Sequence, residues 1–460
     1  MRRHPSLAFV AVLGLAPAAP LLGSCNPTAS GTIQLLTGGE TDTFTQSPVP
    51  AQIVVKADDG SGTLTTLATA SYPTDSIDLG NQDENAVATL DVQALDASGN
   101  ELIFGASVPL QYGALDGLTL PIFVQRVGQN ARLPNPMTDA REAPALAILS
   151  DRFLIVGGGS DPALGATSEV YDFAQFGLIG SPPTLPRTPL SMPLLGTVGL
   201  LIDATAGTYY DFSQDLSSDA TPPSGYAFAD VAGGQSLYDS NGVVYVVGAT
   251  RATGAPTAAV LKIDPNDTSN ASYPLGNMTW LTLTTPRLGA AAAWTDTHGL
   301  VVSGGSTTGA GVEVVAPNET AGAALQFPAD PSTGAGMTKL DATHVLLAGG
   351  VKPDGTDPGV RALDLGCASS CGSSPSTVVW GTLPVAVAGA AVFDIDGARA
   401  FAVGNEPSSG TTHTFMLTST GATEVPTKVP HKNAAAIRSP VGSVLVYGGA
   451  NEVESFTPAP

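Results

Sequence analysis

Basic residues, histidine and cysteine are all scarce in this chain. Its 460 residues include 18 Lys and Arg against 40 Asp and Glu, with five His and three Cys, and the formal net charge is −22. A nucleic acid would be repelled by such a surface, and no Lys/Arg cluster is present that could release its counterions. We therefore expect no nucleic-acid partner and interpret the acidic excess as a solvated surface.

Long charged helical stretches and strict glycine triplets are also missing, which excludes the coiled-coil and collagen-like classes. Charged residues make up 13% of the chain and apolar residues 43%, the opposite of the balance in disordered chains. A mean hydropathy of +0.18 agrees with a large buried core. Because the chain exceeds the length of one ordinary core, we expect two domains or a repeat architecture.

Residues 1–24 have the features of an export signal. Arg2 and Arg3 provide the positive start, and the apolar stretch that follows is interrupted by Pro17 and Pro20. This stretch is too short and too broken to predict a membrane-spanning helix.

The end of this signal, Leu22-Gly23-Ser24-Cys25, resembles the bacterial lipobox. The resemblance implies a lipoprotein in which Cys25 carries fatty-acyl chains such as palmitate and becomes the first mature residue. Several acyl chains give firm membrane anchoring. Asn26 rather than Asp follows the cysteine, which favours the outer membrane or cell surface over the inner membrane. An ordinary signal peptide that happens to end near a cysteine is the alternative.

The region after Cys25 divides into a tether and a domain. Residues 25–31 are rich in Asn, Pro, Thr, Ser and Gly and are predicted to be a flexible, exposed tether. Residues 32–120 alternate strand-like runs with polar Gly turns, a pattern typical of a β-sandwich with Ig-like architecture. The clearest runs are 32–36, 51–56, 87–95 and 101–108.

From residue 121 to 460 the chain repeats an apolar strand that runs into small residues. Seven copies recur with a mean step of about 48 residues, a period typical of propeller and solenoid repeats. The copy at 198–203 is degenerate and fills the wide gap between its neighbours. The seven copies are 153–158, 198–203, 243–248, 300–305, 344–350, 400–404 and 444–449.

Three further strands surround each copy. A strand of small residues precedes it, as in 143–148 and 289–293; a third strand follows, as in 169–172; and a fourth ends in proline, as in 280–286. Four strands per unit, repeated seven times, predict a seven-bladed β-propeller. The seventh unit has only three strands, so we expect a segment within about 121–133 to supply the fourth, with the 122–127 run as its strand and Pro134 and Pro136 after it.

These features resemble the kelch-repeat family over about 335 residues. The resemblance rests on Gly doublets, on Tyr and acidic residues in third strands, and on Trp280 and Trp380 before prolines. It implies a propeller whose loops bind ligands. Another all-β solenoid, or two more sandwiches, is the alternative. The Gly doublets are 157–158, 304–305, 349–350 and 448–449.

Secreted proteins that join a sandwich to a kelch propeller include copper radical oxidases, so copper chemistry has to be considered. That site needs two His, two Tyr and a Tyr–Cys cross-link. Beyond the signal, the four histidines are scattered at positions 298, 344, 413 and 431. We therefore expect no copper, no other cofactor and no catalytic residues.

Two short patterns invite other chemistry. Cys367 and Cys371 lie in a Gly/Ser-rich insertion, and in an oxidising envelope we expect them to form a local disulfide. Asp264–Asp267 and Asp394–Gly397 resemble fragments of calcium loops but lack the later bidentate Glu. Asp-Gly between two strands is the expected hairpin turn, and we predict no metal site.

These observations favour a non-catalytic binding or scaffolding lipoprotein in the bacterial envelope, with propeller loops that bind a protein or glycan. Aromatic residues are only 6% of the chain, which favours a protein over a glycan. The alternative is an envelope hydrolase or oxidase with an unrecognised site on the propeller.

Overall fold

The computed structural model describes residues 27–74, 76–248, 254–270, 273–366 and 376–460. The chain is all-β and forms two compact units that divide between Val127 and Gly128, with Phe173–Phe176 and Ala459–Pro460 clustering with the first unit. Each unit is built mainly of antiparallel sheets. The all-β prediction is confirmed.

The first unit contains two sheets, ordered β4-β1-β8 and β3-β2-β5-β6-β9, with β7 beside β5. Its strands are β1 (Thr28–Leu36), β2 (Gln52–Asp58), β3 (Leu64–Ser71), β4 (Ser76–Asp83), β5 (Val87–Leu95), β6 (Glu101–Ala106), β7 (Leu110–Gln111), β8 (Leu118–Phe123) and β9 (Gln125–Arg126), with a short 3₁₀ helix at Tyr112–Leu115. Ile33 and Ile122 from one sheet and Ile53 and Leu90 from the other are fully buried in one shared core. The Ig-like arrangement stays a prediction.

Two sequence boundaries differ from the structure. The predicted tether 25–31 overlaps β1, because Ala29 is buried and residues 28–30 pair with β4. The apolar run 122–127 belongs to the first unit, where β8 pairs in parallel with β1 and β9 pairs with β6. The first boundary was missed because short polar residues can complete a strand when a partner supplies the hydrogen bonds. The second was missed because an apolar run does not show which sheet it joins.

The second unit contains seven four-stranded antiparallel sheets among the described residues, here named sheets I to VII. Sheet I is β11 (Ala145–Leu149), β12 (Phe153–Gly157), β13 (Ser168–Asp172) and β14 (Gly177–Leu178); sheet II is β15 (Leu194–Leu195), β16 (Val198–Ile202), β17 (Gly207–Asp211) and β18 (Leu216–Ala220); sheet III is β19 (Gln235–Tyr238), β20 (Val244–Val247), β21 (Thr257–Asp264) and β22 (Asn277–Arg287). Sheet IV is β23 (Ala291–Thr295), β24 (Gly299–Ser303), β25 (Val312–Val315) and β26 (Ala323–Ala324); sheet V is β27 (Thr333–Lys339), β28 (His344–Val351), β29 (Val360–Asp364) and β30 (Thr377–Gly381). Sheet VI is β31 (Ala388–Asp394), β32 (Arg399–Asn405), β33 (Thr412–Thr418) and β34 (Gly421–Glu424); sheet VII is β10 (Asn130–Arg132), β35 (Ala435–Arg438), β36 (Val444–Tyr447) and β37 (Glu454–Phe456). A second 3₁₀ helix spans Phe228–Asp230.

The seven apolar repeats all form the second strand of a sheet, as the sequence predicts. These strands are buried on both faces, which explains why they are continuous apolar runs rather than alternating ones. Leu154, Leu201, Val301 and Leu346, for example, are all 0% exposed. The degenerate copy in sheet II is therefore a genuine repeat.

The Gly doublets allow the second strands of sheets I, IV, V and VII to end close to the neighbouring sheet. Gly304 has a φ of +79°, and a Cβ there would lie 2.9 Å from the Ser332 carbonyl oxygen of sheet V. At Gly158, φ is +66° and a Cβ would lie 2.3 Å from the carbonyl oxygen of Pro189, in the segment that leads into sheet II. Only glycine tolerates both the left-handed backbone and the close packing.

Contacts between neighbouring sheets follow a cyclic order. From sheet II to sheet VII each sheet is hydrogen-bonded to the next, sheet VII bonds back to sheet I, and sheets I and II lie side by side. The arrangement is consistent with a propeller-like fold. The linking hydrogen bonds are Tyr238 Oη to Leu194 O (2.9 Å), Ala292 N to Gln235 Oε1 (3.1 Å), Gly305 N to Ser332 O (2.7 Å), Gly350 N to Val387 O (2.7 Å), Asn405 Nδ2 to Ala434 O (3.0 Å) and Gly449 N to Arg141 O (2.7 Å), while β11 lies against β15.

Sheet VII combines strands from the two ends of the second unit. β10 pairs with β37 in an antiparallel register that places Asn130 opposite Phe456 and Arg132 opposite Glu454. Leu133 N also donates to Val453 O at 2.8 Å. The prediction that a segment within 121–133 completes the seventh sheet is confirmed, although the strand is Asn130–Arg132 rather than the 122–127 run.

Candidate functional site

The most deeply buried charges of the second unit form a repeated ion pair, seen most clearly in sheet IV. Arg287 and Glu313 are both 0% exposed, and Arg287 Nη2 donates to Glu313 Oε1 at 2.9 Å. Glu313 also accepts hydrogen bonds from the amides of Thr284 (2.6 Å) and Thr285 (3.0 Å). Arg287 Nη1 donates to the Gly304 carbonyl at 2.8 Å. Burial alone would raise the pKa of Glu313, but hydrogen bonds from Thr284 and Arg287 hold the pKa below its ordinary value.

Sheet I has the same arrangement. Arg141 Nη1 donates to the Gly158 carbonyl at 3.1 Å, and Arg141 Nε lies 3.6 Å from Glu169 Oε2. Glu169 accepts hydrogen bonds from the amides of Thr138 (2.5 Å) and Asp139 (3.3 Å). The guanidinium therefore joins the segment before the first strand to the glycine that ends the second.

In sheet VII a histidine takes the place of the arginine. His431 Nδ1 lies 3.1 Å from the Gly448 carbonyl oxygen, and Nε2 lies 3.2 Å from Glu454 Oε1. Glu454 Oε1 accepts hydrogen bonds from the amides of Lys428 and Val429, each at 2.8 Å. Both His431 and Glu454 are fully or almost fully buried.

The strand register shows which residues occupy the position of the buried glutamate in the other four sheets. Glu169, Glu313 and Glu454 each pair with the residue two positions before the glycine whose carbonyl faces the buried cation. In sheet V this position is Arg361, which donates to Asp330 Oδ2 at 2.7 Å, so the charges are exchanged. The same position is Thr208 in sheet II, Leu261 in sheet III and Thr414 in sheet VI.

These buried pairs stabilise the framework rather than present a reactive group. The oxygens of Glu313 and Glu454 are occupied by backbone amides and a cation, and both side chains are 0% exposed. A substrate could reach neither without breaking those bonds. The sequence indicates the prolines that end the fourth strands, but not the buried arginines and their acidic partners. A Glu two or three residues after a turn in the third strand is the signal that could have identified them.

The four histidines outside the signal do not converge, since each belongs to a different sheet. His298 lies in the β23–β24 turn and His344 begins β28, as predicted. His344 Nδ1 lies 2.9 Å from Asp341 Oδ2, and His413 Nδ1 lies 2.8 Å from Glu424 Oε1. Across the described ranges, no group of three or more His, Cys, Asp or Glu residues is placed to hold a metal ion.

The two calcium-like fragments are structural turns. Asp394 Oδ1 accepts the Gly397 amide at 2.8 Å in the hairpin between β31 and β32, as predicted, and burial raises the pKa of Asp394. Asp264 ends β21, where its Oδ1 accepts the Asn266 amide at 3.1 Å and its Oδ2 lies 3.3 Å from Lys262 Nζ. Their oxygens organise the local backbone.

The remaining polar feature is the set of loops between second and third strands, here named the loop face. Because the seven sheets share one strand order, these loops lie at the same end of their sheets. They are rich in Asp, Glu, Ser, Thr, Pro and Gly. The loops whose residues are all described are 158–167, 203–206, 304–311, 352–359, 406–411 and 448–453.

Carboxylates of the loop face accept hydrogen bonds from residues of their own loops and so hold the loop conformations. Asp161 accepts the Ala163 amide at 2.9 Å, and Asp354 accepts the Thr356 hydroxyl at 2.6 Å and its amide at 3.0 Å. Glu406 accepts the hydroxyls of Ser409 (2.6 Å) and Ser408 (2.9 Å). The Thr356 hydrogen bonds lower the pKa of Asp354, and the serine hydroxyls lower that of Glu406, so both are ionised at neutral pH. The face is an ordered array of anionic groups.

Three predicted site residues cannot be placed. Cys25, Cys367 and Cys371 lie outside the described residues, as does the export signal 1–24, so acylation and the disulfide stay predictions. Within the described part of the chain, no helix has the length and apolarity needed to cross a membrane.

No protein-family model matches this chain, and no curated protein is significantly similar to it.

Proposed function

We propose that this chain is a non-catalytic binding or scaffolding lipoprotein of the bacterial envelope, in which a seven-bladed kelch-like β-propeller presents the loop face to a partner. An Ig-like sandwich and a lipid on Cys25 would connect it to the membrane. The observation that carries the proposal is the loop face itself, a set of loops ordered by their own carboxylates on a frame of seven linked sheets. Ordered loops lose little conformational freedom on binding, which favours affinity.

The chemistry of the loop face favours a basic protein surface as the partner. Asp161, Asp354 and Glu406 are acidic residues in the loops of sheets I, V and VI. Charges of this kind at an interface steer association and discriminate between partners. A glycan would need stacking aromatic residues, and the face loops 158–167, 352–359 and 406–411 contain none.

The binding proposal is tested by removing three charges from the loop face without altering its turns. In the variant Asp161→Asn/Asp354→Asn/Glu406→Gln, each amide keeps one oxygen that accepts a turn hydrogen bond. At position 406 the amide nitrogen can donate to the second serine hydroxyl. We expect about three- to tenfold less partner to be captured by pull-down from the native envelope, because each rim charge contributes up to about 1 kcal/mol. The loss should be smaller at high salt, where the wild-type interaction is itself screened.

The matched control removes three acidic charges from hairpins at the opposite ends of the sheets. Asp151→Asn/Asp296→Asn/Asp396→Asn changes the net charge, but it should leave capture unchanged. Equal losses in both variants would assign the effect to total charge and contradict the loop face. Capture that survives protease treatment of the extract would identify a glycan instead of a protein.

The anchoring proposal is tested at Cys25. Cys25→Ser removes the only thiol near the signal, so we expect the protein to move from the membrane fraction to the soluble fraction. Ser24→Ala keeps a small residue at the cleavage site and should leave the protein in the membrane fraction. Continued membrane attachment of Cys25→Ser would refute acylation, as measured by fractionation and labelling with a radioactive fatty acid.

A further inference from the structure

We infer that β30, the outer strand of sheet V, is a contact surface at which a second copy of this chain pairs edge to edge. Val378 and Val379 are 57% and 65% exposed, and Thr377 beside them is exposed as well. Within the described ranges, β29 is the only strand that pairs with β30. An exposed apolar strand edge of this kind is a template for pairing with another strand.

The outer strands of the other six sheets are each protected from such pairing. Those of sheets I, IV and VII have only two or three residues, and short edge strands are poor templates. Those of sheets II and VI carry an exposed acidic residue, Asp219 and Glu424 respectively. The long strand β22 of sheet III is covered, because Thr282 N donates to Thr320 O at 2.9 Å and Thr282 O accepts from Gly322 N at 2.8 Å. In the part of the chain that the structure describes, β30 alone is longer than three residues and has neither a charge nor a covering segment.

The part of β30 that is free to pair is three residues long. On the inner side, residues 377–379 lie opposite residues 361–363 of β29. The register then shifts, because Trp380 is an extra residue in β30, and its side chain is only 8% exposed. A bulge of this kind twists the edge and interrupts regular pairing. A second strand can therefore pair in register with Thr377–Val379.

The chemistry of this stretch is complementary to itself. In an antiparallel pair related by a twofold axis at Val378, this valine lies opposite its own counterpart, and Thr377 lies opposite Val379. Side chains of β-branched residues in directly opposite positions stabilise a sheet. Ser376–Leu383 contains no charged residue, so two copies of a chain with a net charge of −22 bring no like charges together at this edge.

The small length of the paired strands makes the expected contact weak and reversible. Two three-residue strands cover far less than the roughly 800 Å² per partner of a standard interface. We therefore expect the purified protein to dimerise with a dissociation constant of about 0.1–1 mM.

The test places a cysteine at the twofold position of the full-length chain. In the background Cys367→Ser/Cys371→Ser, Val378→Cys brings two thiols together on opposite strands. Their Cβ atoms would lie about 4.5–5.5 Å apart, close to the separation that a disulfide requires. With oxidised glutathione, at protein concentrations near the expected dissociation constant, we expect most of the chain to run as a covalent dimer on a non-reducing gel.

The matched control is Leu216→Cys in the same background. Leu216 is 61% exposed on the outer strand β18, which carries Asp219. This variant should stay monomeric under the same oxidation, and it also reports any coupling through Cys25. Adding Val379→Lys to Val378→Cys should lower the dimer yield by about three- to thirtyfold, because both Thr377–Val379 pairs are lost and a charge is placed at the edge.

Three results would overturn the inference. One is an equal dimer yield from cysteines at positions 378 and 216, and another is a yield that Val379→Lys does not reduce. The third needs no substitution in the strand: sedimentation velocity of the wild-type protein that shows a monomer up to about 1 mM. A monomer in that experiment would leave the edge to an extended segment of another protein. Because β30 lies outside the loop face, all of these readouts are independent of whether a partner binds there.

Discussion

Removal of residues 450–460 should unfold the second unit as a whole rather than fray one sheet. The deletion takes away β37, which lies between β36 and β10 and carries the buried Glu454. It also removes Phe456, which is 0% exposed and stacks on Phe401 of sheet VI with ring centroids 3.9 Å apart. Without β37, β10 has no strand partner in sheet VII, and strand edges on both sides become exposed.

The measurement is chemical unfolding followed by tryptophan fluorescence, with hydrogen exchange to locate the change. Phe456→Ala is a milder version and should cost about 3–5 kcal/mol of unfolding free energy, as for other buried aromatic truncations. Glu452→Ala, a partly exposed position in the same segment, should have little effect. Sheets I to VI that stay protected in the truncated protein would show that closure is not needed for their stability.

Arg287→Met is expected to lower the unfolding free energy of the second unit more than most single substitutions. It leaves the fully buried Glu313 without its cation, and breaking a buried pair on one side costs about 3–5 kcal/mol. The double variant Arg287→Met/Glu313→Leu removes both charges and should recover much of that loss. Lys339→Met, which breaks a pair with Asp296 that is exposed to solvent, should change stability by about 0–1 kcal/mol.

The same pair predicts a pH dependence on the acid side. The folded-state pKa of Glu313 lies below its ordinary value of 4.5, so its contribution to stability is present above pH 4.5 and is lost as the pH falls through the folded pKa. Removing Arg287 takes away one of the interactions that lower this pKa, so acid unfolding should begin at a higher pH in Arg287→Met. Equal acid midpoints, or a double variant no more stable than the single one, would contradict the assigned role of the pair.

The repeated second strands could be predicted from the sequence because they are buried on both faces, and burial forces a continuous apolar run. The shortage of strands in the last unit likewise predicted where the chain must close. Strand β3 is harder to predict, because every residue of Leu64–Ser71 is exposed or half-buried and the strand has no buried apolar face.

The buried ion pairs could not be predicted, for a different reason. Arg287 and Glu313 are far apart in sequence, and only the register between β24 and β25 sets Glu313 opposite Val302 and directs it toward the preceding turn. The exchange of charges at Arg361 and Asp330 hides the pattern further. The sequence therefore predicts the repeated strands, but not the buried ion pairs between them.

The closing sheet also has a consequence for the order of events during biosynthesis. Asn451 Nδ2 donates to the Thr138 carbonyl across 313 residues of sequence, so this part of the fold cannot form until nearly the whole second unit has been synthesised. Contacts between such distant residues make folding slow, since a large loop must close first. Until then, sheet I has an uncovered neighbour-facing side and β10 an unpaired edge. A nascent chain would thus stay partly open until its last strand arrives, and completion of the second unit would be one of the last steps of folding.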